Sequence, residues 1–136
     1  MKRTATAIWT GSGKDGSGHL TTQSTALDHM QYSYKSRFEQ GVGTNPEELI
    51  AAAHAGCFAM ALSFELQKAG FTAESLDVQG EITLENGAII SSHLVLQAKI
   101  PTIGNDQFNI CSANAKANCP VSKLLNAAIT LDAVLL

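Results

Sequence analysis

The chain is poor in charge, and what charge it has is not gathered anywhere. Nine Lys and Arg against twelve Asp and Glu in 136 residues leave a net charge of -3. With no basic cluster there is no electrostatic footprint for nucleic acid or an anionic membrane. Cysteine is scarce: only Cys57, Cys111 and Cys119. An odd, widely spaced set is not a secreted disulfide framework, and no Cys-x-x-Cys builds a zinc module. No run reaches the roughly 18 uninterrupted apolar residues of a membrane span. The basic Met1-Lys2-Arg3 start leads into an alternating stretch and a Gly-rich polar tract rather than a signal-peptide apolar region. The absences predict a soluble, cytoplasmic protein with no nucleic-acid or membrane partner. What is present is ample apolar content, 45%. A chain of this size buries about two thirds of its unfolded surface, so one domain over residues 1–136 is predicted.

Alternation and turn signals give an α+β order. Thr4 to Trp9 and His19 to Thr22 read as strands around a Gly-rich tip, and Tyr32 to Glu39 alternates as a third strand of an N-terminal β-meander. Gly11, Gly13 and Gly16 spell the dinucleotide fingerprint, but extended propensity follows them where a helix is needed. Asn45 then reads as an N-cap, Pro46 as N1 and Glu48 as the acid that closes a capping box. The helix predicted from there runs from Pro46 to Ala69, stopped by Gly70. Leu76 to Leu84 and Ala88 to Ile100 form a second hairpin about Glu85-Asn86-Gly87. Helices over Gln107 to Ala117, capped by Asn105 or Asp106, and over Pro120 to Asn126 precede a last strand, Ala128 to Val134. The central helix is apolar all round and about 36 Å long, too much for one small chain to wrap. A second subunit is therefore expected to cover part of it, as an intertwined dimer.

Several residues invite chemistry. Cys57 lies mid-helix, either a packed core thiol or a reactive one opening onto small neighbours such as Gly56. Cys119, just before Pro120, takes an N-cap or N1-like place where free N–H groups favour a thiolate. Arg37 reads as a strand charge paired with Glu39, and Glu47 and Glu48 as helix-capping acids. His54, three residues before Cys57, suits either a zinc ligand or the base of a Cys-His pair, although His-x-x-Cys alone is too little for a metal. Cys111 reads as a core residue.

Gly43-Thr44-Asn45-Pro46-Glu47-Glu48-Leu49, leading into Ala53-His54-Ala55-Gly56-Cys57-Phe58 and followed by Asn118-Cys119-Pro120-Val121-Ser122, resembles the OsmC/Ohr family of thiol-dependent peroxidases, and its details resemble the OsmC branch. Tyr34 to Glu39 is similar to the family's arginine-bearing strand. The resemblance implies an OsmC-like fold of antiparallel sheets around a long central helix. It also implies a peroxidase that reduces organic hydroperoxides to alcohols, with Cys57 as attacking thiol, Cys119 as resolving thiol, and Arg37 with Glu47 as polar partners. No resident cofactor is implied; an external dithiol, of dihydrolipoyl type, reopens the disulfide. The competing reading is a non-catalytic small-molecule or metal-binding dimer on the same scaffold.

Physical chemistry adds one constraint. A thiol with a pKa near 8.5 is only about 3% ionised at pH 7, and the helix dipole fades within a turn, so Cys57 needs a cation such as Arg37. Glu47 and Cys57 stand ten residues apart, about 15 Å of helical rise, and cannot meet on one straight helix. The expectation is that Cys57 and Cys119 of one subunit face the partner subunit's Arg37 and Glu47.

Overall fold

Hairpin and cap signals place most elements in the computed structural model, which describes all residues, 1–136. The chain divides into two units, Met1–Leu49 and Ile50–Leu136. In the first, β1 (Ala5–Thr10), β2 (Ser17–Thr22) and β3 (Met30–Tyr32) form an antiparallel sheet in the order β1-β2-β3. β2 follows the Gly-rich tip directly, so no helix N-terminus stands where a dinucleotide phosphate would need one.

The third strand stops early. Instead of continuing to Glu39, the chain turns into a short helix, α1 (Tyr34–Phe38). Ser33, extended at φ -158, caps it: its side chain accepts the Ser36 N–H, and the Ser36 hydroxyl meets the Ser33 N–H at 2.8 Å. This reciprocal box satisfies donors that a strand would have to pair across a sheet. The alternation at Tyr34 and Phe38 is instead an i,i+4 pair with ring centroids 4.9 Å apart. Ser36 also donates to the Thr44 carbonyl at 2.8 Å, tying α1 to the segment before the next helix. Gly43, at φ +108, brings that segment onto the Gln31 carbonyl where a side chain would collide.

The long helix α2 (Pro46–Lys68) begins in the first unit and continues into the second. The Asn45 side chain accepts the Glu48 N–H at 2.8 Å, the expected cap. The Glu48 carboxylate does not complete the box; it accepts from the Thr44 hydroxyl instead.

The second unit adds β4 (Ser75–Glu85), β5 (Ala88–Lys99), α3 (Asn105–Asn118), α4 (Pro120–Leu124) and β6 (Ala128–Leu135). Asn86 and Gly87, both at positive φ, make the β4–β5 turn. β6, whose partner the sequence left open, lies parallel to β5, giving the order β4-β5-β6. Gly104 caps α3 without a side-chain bond, so neither Asn105 nor Asp106 has that role. By length and composition α2 is apolar enough to cross a membrane. Its His54, Phe58, Leu62 and Leu66 stripe, however, is closed off completely within the protein. Phe58, Leu62 and Leu66 share a core with Leu94, Leu96 and Ala98 of β5. Away from that stripe, Met60 and Phe64 are 64% and 56% exposed, leaving apolar surface on α2 open.

Gly80 sets how closely β4 approaches α2. A Cβ there would stand 2.7 Å from the Ala51 carbonyl oxygen, a backbone atom that cannot swing aside. Gly80→Val is expected to cost about 1–3 kcal/mol and lower Tm by about 4–10 °C. A thermal melt with unchanged Tm would show that the strand can back away freely.

Candidate active site

The second unit brings the two motif cysteines together. Cys57 comes from the middle of α2 and is half-buried; Cys119 is fully buried between α3 and α4. Cys119 serves as N-cap of α4, its sulfur accepting the Ser122 N–H at 3.4 Å, with Pro120 behind it at N1. All three cysteines are free thiols. Cys111 lies in the core, 2% exposed, against the Glu65 carbonyl.

The environment of Cys57 favours the neutral thiol. Burial pushes its pKa up, the Val121 N–H pulls it down, and the adjacent Cys119 thiol raises it again through hydrogen bonding and charge. No cation contributes. A thiolate nucleophile at Cys57 thus needs a positive charge from elsewhere.

His54 sits beneath this pair and is fully buried. Its Nδ1 is 2.6 Å from the Ser92 hydroxyl of β5 and its Nε2 is 2.8 Å from the Ser122 hydroxyl of α4. Ser122 Oγ is in turn 3.3 Å from Cys119 Sγ. Both ring nitrogens are therefore engaged, which leaves neither for a metal, and His54 does not form the direct pair with Cys57 that a simple Cys-His site would show. Burial lowers the His54 pKa, so the imidazole is neutral near pH 7. Sequence reasoning passed over Ser92. Its signal was a hydroxyl in phase with the buried Leu94, Leu96 and Ala98 of β5, since a polar group on a core-facing register requires a partner.

Arg37 and Glu47 form a second cluster, in the first unit. Arg37 Nε donates to both Glu47 carboxylate oxygens at 3.0 and 3.3 Å, and Nη2 donates to Oε1 at 2.7 Å. Its partner is thus Glu47, not Glu39. α1 supplies the guanidinium and the first turn of α2 the carboxylate, and the Asn45 amide joins those two helices through the Ser36 carbonyl at 3.1 Å. The Glu47 side chain is 12% exposed and Arg37 39%. This geometry locks the guanidinium plane while leaving Nη1 outside the pair.

The model of the OsmC-like protein family matches residues 39–134. The peroxiredoxin OsmC of Escherichia coli is 45% identical over 130 residues, covering 93% of this chain and 91% of that protein. The organic hydroperoxide resistance protein OhrB of Bacillus subtilis is 29% identical over 111 residues, 78% of this chain and 79% of its own. Among solved structures, an OsmC-like protein from Mycoplasma pneumoniae superposes with a TM-score of 0.75 at 14% identity, covering 100% of this chain and 98% of that one. The OhrB crystal structure gives 0.68 at 22% identity, with 98% of each chain covered. The shared fold, the family match across most of the chain and the higher identity to OsmC than to OhrB place this chain in the OsmC/Ohr family, on its OsmC branch, as a cysteine-based peroxidase.

Proposed function

We propose that the chain reduces organic hydroperoxides to alcohols by a two-cysteine cycle, with residues 1–136 acting as one OsmC-like domain in a cytoplasmic homodimer. The Cys57 thiolate attacks the outer peroxide oxygen, the O–O bond breaks, and the alkoxide takes a proton and leaves as alcohol. Cys119 condenses with the resulting Cys57 sulfenic acid to a disulfide, releasing water. An external dithiol of dihydrolipoyl type reduces that bridge by exchange. The carrying observation is the adjacency of a half-buried Cys57 and a fully buried Cys119. Their exposures suit an outer thiol that meets the peroxide and an inner one that resolves.

Arg37, oriented by Glu47, is the cation assigned to the thiolate and the departing alkoxide. Its source is the partner subunit, as follows from the helical rise between Glu47 and Cys57. The exposed Met60 and Phe64 of α2 support burial by a second copy.

One equivalent of cumene hydroperoxide should lower the mass of the reduced protein by about 2 Da, with Cys57 and Cys119 joined in one peptide pair. Cys119→Ser should stop at the sulfenic acid, trapped by dimedone. A wild-type protein that shows no such bridge removes the two-cysteine cycle.

A further inference from the structure

The chain Ser92–His54–Ser122–Cys119 is a buried polar line ending on one sulfur of the reacting pair. Three of its members come from elements distant in sequence: β5, α2 and α4. Burying an imidazole and two hydroxyls in a core costs free energy that an apolar replacement would avoid. Cys119 needs no such partner merely to cap α4, because the Ser122 N–H already satisfies its sulfur.

We propose that His54 is a positioning residue of the resolving step: through Ser122 it accepts the proton of the Cys119 thiol as Cys119 attacks the Cys57 sulfenic acid. The proposal rests on the two-cysteine reading above and assigns that site a proton path. The step uses the tautomer in which Nδ1–H donates to Ser92, 2.6 Å away, and the Nε2 lone pair accepts from the Ser122 hydroxyl, 2.8 Å away. In that arrangement the Ser122 O–H donates to His54 and its oxygen, 3.3 Å from Cys119 Sγ, accepts the S–H. In the step, the Cys119 sulfur forms the S–S bond and the S–O bond of the sulfenic acid breaks. Cys119 is oxidised from thiol to disulfide and the Cys57 sulfur is reduced from sulfenic acid. The thiol proton passes to Ser122 as the Ser122 proton passes to His54. The leaving hydroxide takes up that same proton from His54 by way of Ser122, giving water and returning His54 to neutral. Low dielectric keeps His54 uncharged at rest, so its lone pair is available through the neutral range.

The ionisable groups beside this line are the Cys119 thiol, at the α3–α4 junction, and the Cys57 thiol of α2 next to it. On β5 the neighbouring His93 bonds Thr130 and Asp132 of β6 instead. On α4, Lys123 belongs to the exposed side.

Stopped-flow measurement resolves the two steps, with sulfenic acid formation read by dimedone trapping and its conversion by disulfide formation over pH 6–8. In His54→Gln the ratio of resolving rate to first-step rate should fall at least about tenfold, the scale of a lost proton-transfer partner. The wild-type resolving rate should change little across that range. The variant's should rise about tenfold per pH unit, as for a thiol that ionises only against bulk water. Ser92→Ala, which touches neither thiol, should lower the same ratio by about threefold and steepen the same profile; it serves where His54→Gln does not fold. A folded variant with the wild-type ratio and profile overturns the assignment of His54. A wild-type protein that forms no Cys57–Cys119 disulfide overturns the two-cysteine cycle beneath it.

Discussion

Cys57→Ser is expected to abolish hydroperoxide turnover, lowering kcat/KM by at least about 10⁴-fold while leaving Tm nearly unchanged. A serine hydroxyl keeps the shape of the thiol in a slightly smaller side chain, but it ionises far above neutral pH and is a poor nucleophile toward peroxide oxygen. No other thiol can substitute. Cys119 is fully buried and Cys111 is 2% exposed within the core, so neither meets a bulky hydroperoxide without local unfolding. The measurement is consumption of cumene hydroperoxide with dihydrolipoamide as reductant. Activity within tenfold of wild type would move the nucleophile elsewhere.

Arg37→Ala should cost about 10²–10³ in kcat/KM, the scale of removing one preorganised donor from a developing oxyanion. The reason lies at Cys57, where burial and the Cys119 thiol hold the proton on and only the Val121 N–H opposes them. Glu47→Gln should cost less, about tenfold, because the guanidinium survives but loses the carboxylate that fixes its plane. A site shared between two subunits, as proposed, has a sharper consequence. An equal mixture of Arg37→Ala and Cys57→Ser proteins, after random subunit exchange, contains about half heterodimers, each with one complete site. Activity should recover to about a quarter of wild type under that symmetry. No recovery in a mixture proven to exchange would show that each subunit completes its own site.

Much of this architecture is legible locally. Asn45 and Pro46 announce α2, Gly70 ends it, and Asn86-Gly87 turns β4 into β5. Each of these acts within four or five residues, where cap and turn chemistry is decisive. The segment from Tyr34 to Glu39 shows the limit of that approach. Its alternation fits a strand, yet the Ser33–Ser36 box and the Tyr34–Phe38 ring pair fit a helix equally, and a bond from Ser36 to the Thr44 carbonyl joins the helical form to the chain beyond. Arg37 consequently stands on α1, facing Glu47 rather than Glu39.

By itself the sequence determined the composition class, the central helix and hairpins, and, through its motifs, the family and the two cysteines worth testing. Only the tertiary structure decided that Cys119 is the buried thiol and Cys57 the accessible one, that β6 runs parallel to β5, and that His54 is held by two serines. Those serines stand 38 and 68 positions from it. Such contacts depend on strand register and helix packing, which bring distant backbone segments together through burial of a shared core and leave no short-range pattern in the chain.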